Sequence, residues 1–170
     1  MRSSGIVLFL ALNCALAGFG PSMAHAQERP VAVFDFELID TSLEGEVSGT
    51  RPEEIARLAM ISDLLRRELR ESGRYLVVDE APAAAQIEQA GYLYSCNGCE
   101  AKIARGLGAE LAITGTVQKV SNLILNINLY VRDAESKKQL RAMSADIRGN
   151  TDRSWSRGVS YLVKNRLLKE

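Results

Sequence analysis

Cys96 and Cys99, separated by Asn97 and Gly98, form the sharpest chemical pattern in this 170-residue chain. Two thiols three residues apart at the start of a helix can exchange with other disulfides, because the helix dipole favours the thiolate. Outside the cytoplasm the same pair forms a structural bridge by default. So short a loop removes little entropy from the unfolded chain, and such a bridge would mainly fix its own turn. Zinc would need two further ligands beside the thiolates. A c-type haem site is excluded, since Glu100 stands where that motif requires histidine.

A second cluster is acidic. Asp35, Glu37 and Asp40 fall at the C-terminal end of the first expected strand, the edge where open α/β sheets place their ligands. Paired carboxylates there can act as acid and base or hold a cation. They can equally sit at a solvated sheet end and meet the basic side chains of the following helix. A third set, Asn126, Asn128, Tyr130, Arg132, Ser144, Asp146 and Arg148, alternates with apolar residues along two strands. It mixes amides, tyrosine and arginine with few lysines, a composition enriched in interfaces, although any wet sheet face is polar. The glycines Gly106, Gly108 and Gly115 do not form a phosphate-binding loop, because none of the required spacings follows a strand.

The chain's beginning limits the chemistry further. Met1-Arg2 followed by the apolar run Ile6 to Phe19 and the small-x-small site Ala24-His25-Ala26 reads as an export signal cleaved after Ala26. Leu12 and Asn13 before Cys14 do not suit lipidation. Residues 27–170 are then one periplasmic domain of 144 residues. His25, the only histidine, leaves with the signal. Ser-His and Cys-His nucleophiles and His-ligated metals are thereby excluded. No cofactor is expected. With Arg2 removed, 20 basic residues face 21 acidic ones. That balance disfavours nucleic acid, whose binding draws its affinity from a basic footprint. No membrane span is expected in the mature chain.

The elements that must position these residues follow from periodicity. Val31 to Phe36 is a dense β-branched and aromatic run, read as a buried strand. A polar loop, Asp40 to Gly49, leads to Thr50 and Glu53 at capping-box spacing, with Pro52 in the first turn. Ile55, Leu58, Ile61, Leu65 and Leu69 form one helical face and Gly73 stops the helix. Tyr75 to Val78 is a strand, Ala81 to Ala90 a short helix, and Asn97 is placed to cap a helix over Ala101 to Leu107. Period-two segments from Leu111 to Arg148 make an antiparallel meander. A last helix then buries Trp155, Val159, Leu162 and Val163. The expected fold is a single-domain mixed α/β structure of order βαβα(α)βββα, with a mixed sheet of about five strands and helices mainly on one face.

The order of elements resembles the N-terminal domain of TolB and the periplasmic domain of the curli-secretion family. Four segments resemble a family of uncharacterised exported proteins of proteobacteria over nearly the whole mature chain. They are Val33 to Leu38, the Cys96 to Cys99 pair, Gly115 to Asn122, and Arg148 to Asp152 with Ser154-Trp155. The resemblance implies a small envelope domain and no reaction. Elimination and layout together lead to a non-enzymatic envelope accessory protein that contacts another exported protein through its sheet face or the Asp40 to Gly49 loop. Thiol–disulfide exchange at Cys96 and Cys99 is the alternative, and a small-ligand or cation site at Asp35, Glu37 and Asp40 is a third reading.

Overall fold

The computed structural model describes residues 27–169; the expected signal segment lies outside them. Six strands form one mixed sheet: β1 (Arg29–Val33), β2 (Glu37–Asp40), β3 (Tyr75–Val77), β4 (Leu111–Lys119), β5 (Ile124–Asp133) and β6 (Gln139–Arg148). Five α-helices accompany them: α1 (Leu43–Ser48), α2 (Pro52–Glu71), α3 (Ala84–Ala90), α4 (Cys99–Gly106) and α5 (Asp152–Leu162). The sheet runs β3-β1-β4-β5-β6, and β2 also pairs with β4. β1, β2 and β3 lie parallel to their neighbours, whereas β4, β5 and β6 form the antiparallel meander.

The sixth strand arises from a break in the first. Val33 pairs with Ile113 and Glu37 with Thr116, so four steps on one side match three on the other. One residue is surplus, as in a β-bulge. Phe36 occupies the break, gives its backbone N–H to Ser62 Oγ at 2.9 Å, and lays its ring across Gly115, where a Cβ would collide with it. The bulge thereby re-aims everything that follows it along β2.

Two apolar layers sandwich the sheet. On one side, α2 and α5 bury Ile61, Leu65, Leu69, Trp155, Val159 and Leu162 against the β4 and β5 residues Leu111, Ile113, Leu125, Ile127 and Leu129. On the other, a smaller cluster gathers Phe34, Ala83, Leu93, Ile103, Ala104 and Ala112 under α3 and α4. The two long helices share one face, and the short helices cover part of the other. Burial of side chains of this size contributes on the order of 1.5–3 kcal/mol each.

Several boundaries differ from expectation for physical reasons. The Asp40 to Gly49 stretch is not a plain loop; it holds α1, capped by Ser42 Oγ, which accepts from the Gly45 N–H at 3.1 Å. Helix α2 is capped one residue later than Thr50 and Glu53 suggest: Pro52 is its first residue, and Glu54 Oε2 accepts the Arg51 N–H at 3.1 Å. Glu54 takes this role because a buried cation, described below, draws its carboxylate inward. Asn97 caps nothing, since it and Gly98 both have positive φ and α4 begins at Cys99. Gly73, with φ of 64°, ends α2 as expected.

Candidate functional site

On β4 the alternation that buries Leu111, Ile113 and Val117 brings Lys119 to the same side of the sheet, and its side chain is fully buried. An ammonium in that position must be paired and hydrogen-bonded. Three carboxylates meet it: Glu54 Oε1 at 2.7 Å, Asp40 Oδ2 at 3.0 Å and Glu44 Oε2 at 3.1 Å. They come from α2, β2 and α1. An ammonium has three donors, and each has one acceptor here.

The network continues outward. Asn150 gives its amide N–H to Glu54 at 2.7 Å and to Asn122 at 3.1 Å, and its carbonyl accepts from Trp155 Nε1 at 3.0 Å and Arg57 at 3.2 Å. Asn122 in turn donates to Glu44 at 2.9 Å. Arg51 lies 3.5 Å from Glu44, and Arg57 binds Asp152 at 2.7 Å. The buried ammonium thus links the end of the sheet to both long helices, to α1 and to the β4–β5 turn.

Burial alone would favour the neutral forms, and the contacts override it. For Asp40, hydrogen bonds from Ser42 and Lys119 hold the carboxyl below its ordinary value despite burial. For Glu54, those from Lys119, the Arg51 backbone and Asn150 do the same. Glu44 is held down chiefly by its hydrogen bond from Lys119, then by Asn122. Lys119 is opposed by burial but pushed up to about 12 by Glu54, Asp40 and Glu44. A lysine so bound keeps its proton at neutral pH, the wrong state for a base or nucleophile. Its chemistry here is to hold charge and geometry.

The acidic residues singled out in the sequence are not brought together. Asp35 is exposed and binds Arg66 of α2 at 2.8 Å. Glu37 points to the opposite sheet face and accepts the backbone N–H groups of Leu93 and Tyr94 at 2.7 and 2.9 Å. Burial pushes its carboxyl up, those two hydrogen bonds pull it down, nearby Glu100 adds to the rise, and the net is upward. Asp40 belongs to the Lys119 network. Cys96 and Cys99 are joined as a disulfide with Cα atoms 5.6 Å apart, just after the turn that Glu37 pins. With Glu100 they form a group compact enough for a metal, but the bridge commits both sulfurs, and Glu100 pairs with Arg132 at 2.5 Å.

The polar sheet face is gathered as the alternation requires. Asn126, Asn128, Tyr130 and Arg132 lie beside Asp146, Ser144, Ala142 and Gln139 of β6. Much of it satisfies itself, since Asn126 donates to Asp146 at 2.7 Å and Asn128 to Thr116 at 3.3 Å. Trp155, read as core, is fully buried.

Lys119, Glu54, Asn122 and Asn150 were missed as a site in the sequence. One signal was available: counting by two from Leu111 places Lys119 on the buried side of its strand. Two of the segments that carry the family resemblance, Gly115 to Asn122 and Arg148 to Trp155, converge on this network.

A family model described as "Protein of unknown function (DUF2380)" matches residues 29–167. No curated protein matches the chain. Among solved structures, the LpoB C-terminal domain from Salmonella enterica is similar at a TM-score of 0.51 and 11% identity, covering 75% of this chain and 87% of that one. The LpoB C-terminal domain from Escherichia coli gives 0.52 and 13%, covering 72% and 84%. TolB from Acinetobacter baumannii gives 0.45 and 14%, covering 85% and 30%, a likeness too weak to argue from. At these identities the likeness to the LpoB structures shows the fold alone.

Removing one partner of a buried ion pair strands the others, so Lys119→Met is expected to cost about 3–5 kcal/mol in urea unfolding. The pH dependence has a definite sign. Asp40 and Glu54 have lowered folded-state values, so their contribution is present above the ordinary carboxylate range of 3.8 to 4.5 and is lost as pH falls through the lower folded values. Lys119, raised from 10.5, contributes fully below that pH and loses its contribution as pH rises toward about 12. Urea midpoints measured across pH are expected to drop at both ends, with the alkaline drop smaller in Lys119→Met.

Proposed function

The chain belongs to the family described as a protein of unknown function (DUF2380), and on that premise we propose that it is a non-enzymatic interaction module of the cell envelope. It is exported by residues 1–26 and docks another exported protein through the end built by α1 and the β4–β5 turn. One observation carries this reading: Leu43, Val47 and Leu123 stand 75%, 77% and 71% exposed on segments anchored to the buried Lys119 network.

Large apolar side chains held in water at one place are characteristic of contact surfaces. Val120 and Ile124, also more than half exposed, extend the group along the turn. Its rigidity comes from Glu44, which reaches both Lys119 and Asn122 while Leu43 and Val47 face outward. A preorganised surface of this kind loses little entropy on docking. A protein partner suits it better than an anionic membrane, because α1 carries Glu44 and Glu46 and no basic residue. Among the described residues no helix is long and apolar enough to cross a membrane. The polar face of Asn126, Asn128, Tyr130, Arg132, Asp146 and Arg148 joins this end at Ile124, which pairs with Arg148, and would supply the polar rim of the contact.

The Cys96–Cys99 bridge serves in this reading as a clamp on the turn before α4. Its reduction potential in the purified protein is expected below about −300 mV, whereas a value near −200 mV or above would make it an exchange site.

Docking is tested by placing a photo-crosslinking residue at Leu123 in cells that export the chain. The expected result is one discrete protein adduct, strongly reduced when Leu43 and Val47 are both replaced by Asp, with none from a crosslinker at exposed Gln89 of α3. An adduct that ignores the double substitution, or none at all from Leu123, contradicts the reading. Surface substitutions of this kind usually change stability by no more than about 0.5 kcal/mol, so folding does not confuse the result.

A further inference from the structure

Strand β6 ends the sheet, and among the described residues nothing pairs with its outer edge. A free edge offers a row of backbone donors and acceptors to any extended chain, and proteins ordinarily blunt such edges with proline, lysine or a bulge. From Ala142 to Ile147 this strand has neither proline nor lysine, its one charged side chain, Asp146, is engaged by Asn126 at 2.7 Å, and its one register irregularity lies at the other end, opposite Val131 and Arg132. The two ends of β6 are guarded: the Arg141 guanidinium donates to the carbonyls of Leu167, at 2.9 Å, and of Arg166, and Ser154 Oγ donates to the Arg148 carbonyl at 2.9 Å, which leaves the stretch from Ala142 to Ile147 open.

Beside the open stretch lies a cleft of about 430 Å³ between β6 and α5, floored by Ala145, Ile147 and Gly158, rimmed by Arg157 and Tyr161, and bordered along the strand by Ser144 and Asp146, whose carboxylate accepts from Asn126 at 2.7 Å. Gly158 lets the helix approach closely, since a Cβ there would stand 2.8 Å from both Ile127 and Ile147. A strand added to β6 would place every second side chain over this floor. Arg157 is exposed and has no ion-pair partner among the described residues. Arg153 lies one turn before it, exposed on the same side of α5, whereas Lys164, two turns after it, pairs with Glu68 of α2 at 3.7 Å. Arg157 therefore sets one unpaired positive charge at the rim of an apolar floor.

We propose that β6 accepts, as a seventh strand, an extended segment of another exported protein whose inward side chains alternate apolar and acidic. Main-chain hydrogen bonds supply the affinity of such additions and the side-chain cleft supplies the selection. Charge decides against a second copy of this chain, because pairing two β6 edges about a two-fold axis would turn the two Arg157 side chains at the cleft rims toward each other. The proposal rests on the reading of the chain as an interaction module but uses a different surface.

The test uses the purified mature protein and a nine-residue capped peptide, Thr-Val-Thr-Asp-Thr-Val-Thr-Asp-Thr, with a control in which lysine replaces both aspartates. Amide hydrogen exchange is followed residue by residue. The acidic peptide is expected to slow alternate amides between Ala142 and Arg148 by about tenfold or more, and the lysine peptide is not. Arg157→Glu is expected to abolish the slowing and to transfer it to the lysine peptide. Tyr161→Ala, which leaves the core untouched, is expected to weaken it. Leu43→Asp with Val47→Asp is expected to leave it unchanged, which separates this edge from the α1 surface. No slowing along β6, equal slowing by both peptides, or concentration-dependent slowing with no peptide added, which would make a second copy the occupant, would each overturn the proposal.

Discussion

The fully buried ammonium of Lys119 is the constraint on which the rest of the structure depends. A charge at that depth is tolerated only with complete pairing, and the chain supplies the pairing from β2, α1 and α2 at once. Each contributing carboxylate fixes an element that sheet pairing alone would leave loose. Asp40 fixes the end of β2, Glu44 holds α1, and Glu54 sets the first turn of α2. Asn150 relays the same restraint to the Trp155 indole and so to α5. Replacing such a cluster with apolar residues is often neutral or stabilising in other proteins, so its value here lies in geometry: it determines where α1 stands.

That placement links folding to the surface. α1 is only six residues long and buries none of its own side chains. A helix so short is marginal in water by itself. Anchored by Glu44, it presents Leu43 and Val47 to solvent, and the Asn122–Glu44 hydrogen bond ties it to the turn that carries exposed Leu123. At the β6 edge of the meander, Gly158 of α5 and the open middle of β6 leave a second cleft with Arg157 at its rim.

The sequence made the periodic parts of the fold legible. The Ile61, Leu65 and Leu69 stripe, the stop at Gly73, the alternation of the meander and the core position of Trp155 are local patterns, and each follows from a spacing of two or of three to four residues. The centre of the site was not legible in the same way. Its contacts join residues 79 and 75 positions apart in sequence, and no local rule selects Asp40 over Asp35 as the partner of a lysine. The bulge at Phe36 decides it: the extra residue reverses the alternation, so that Leu38 and Asp40, and not Glu37 and Ile39, share the face of Val117 and Lys119. Cap placement failed for a related reason: Thr50 and Glu53 have the right spacing, but Glu54 is the residue the buried ammonium attracts. The Cys96 and Cys99 pair was visible, whereas the left-handed Asn97 and Gly98 between them took over the helix start from a side-chain cap.

The most direct test compares amide hydrogen exchange in α1 and in the sheet within one variant, Lys119→Met. If the buried ammonium holds α1 in place, the amides of Glu46 and Gly49, bonded to Ser42 and Gly45 within that helix, should exchange at nearly unprotected rates while those of β4 and β5 keep protection above them by about a hundredfold or more. If instead the α1 amides stay protected in step with the sheet, α1 does not depend on Lys119, and the buried ammonium is not what fixes its position.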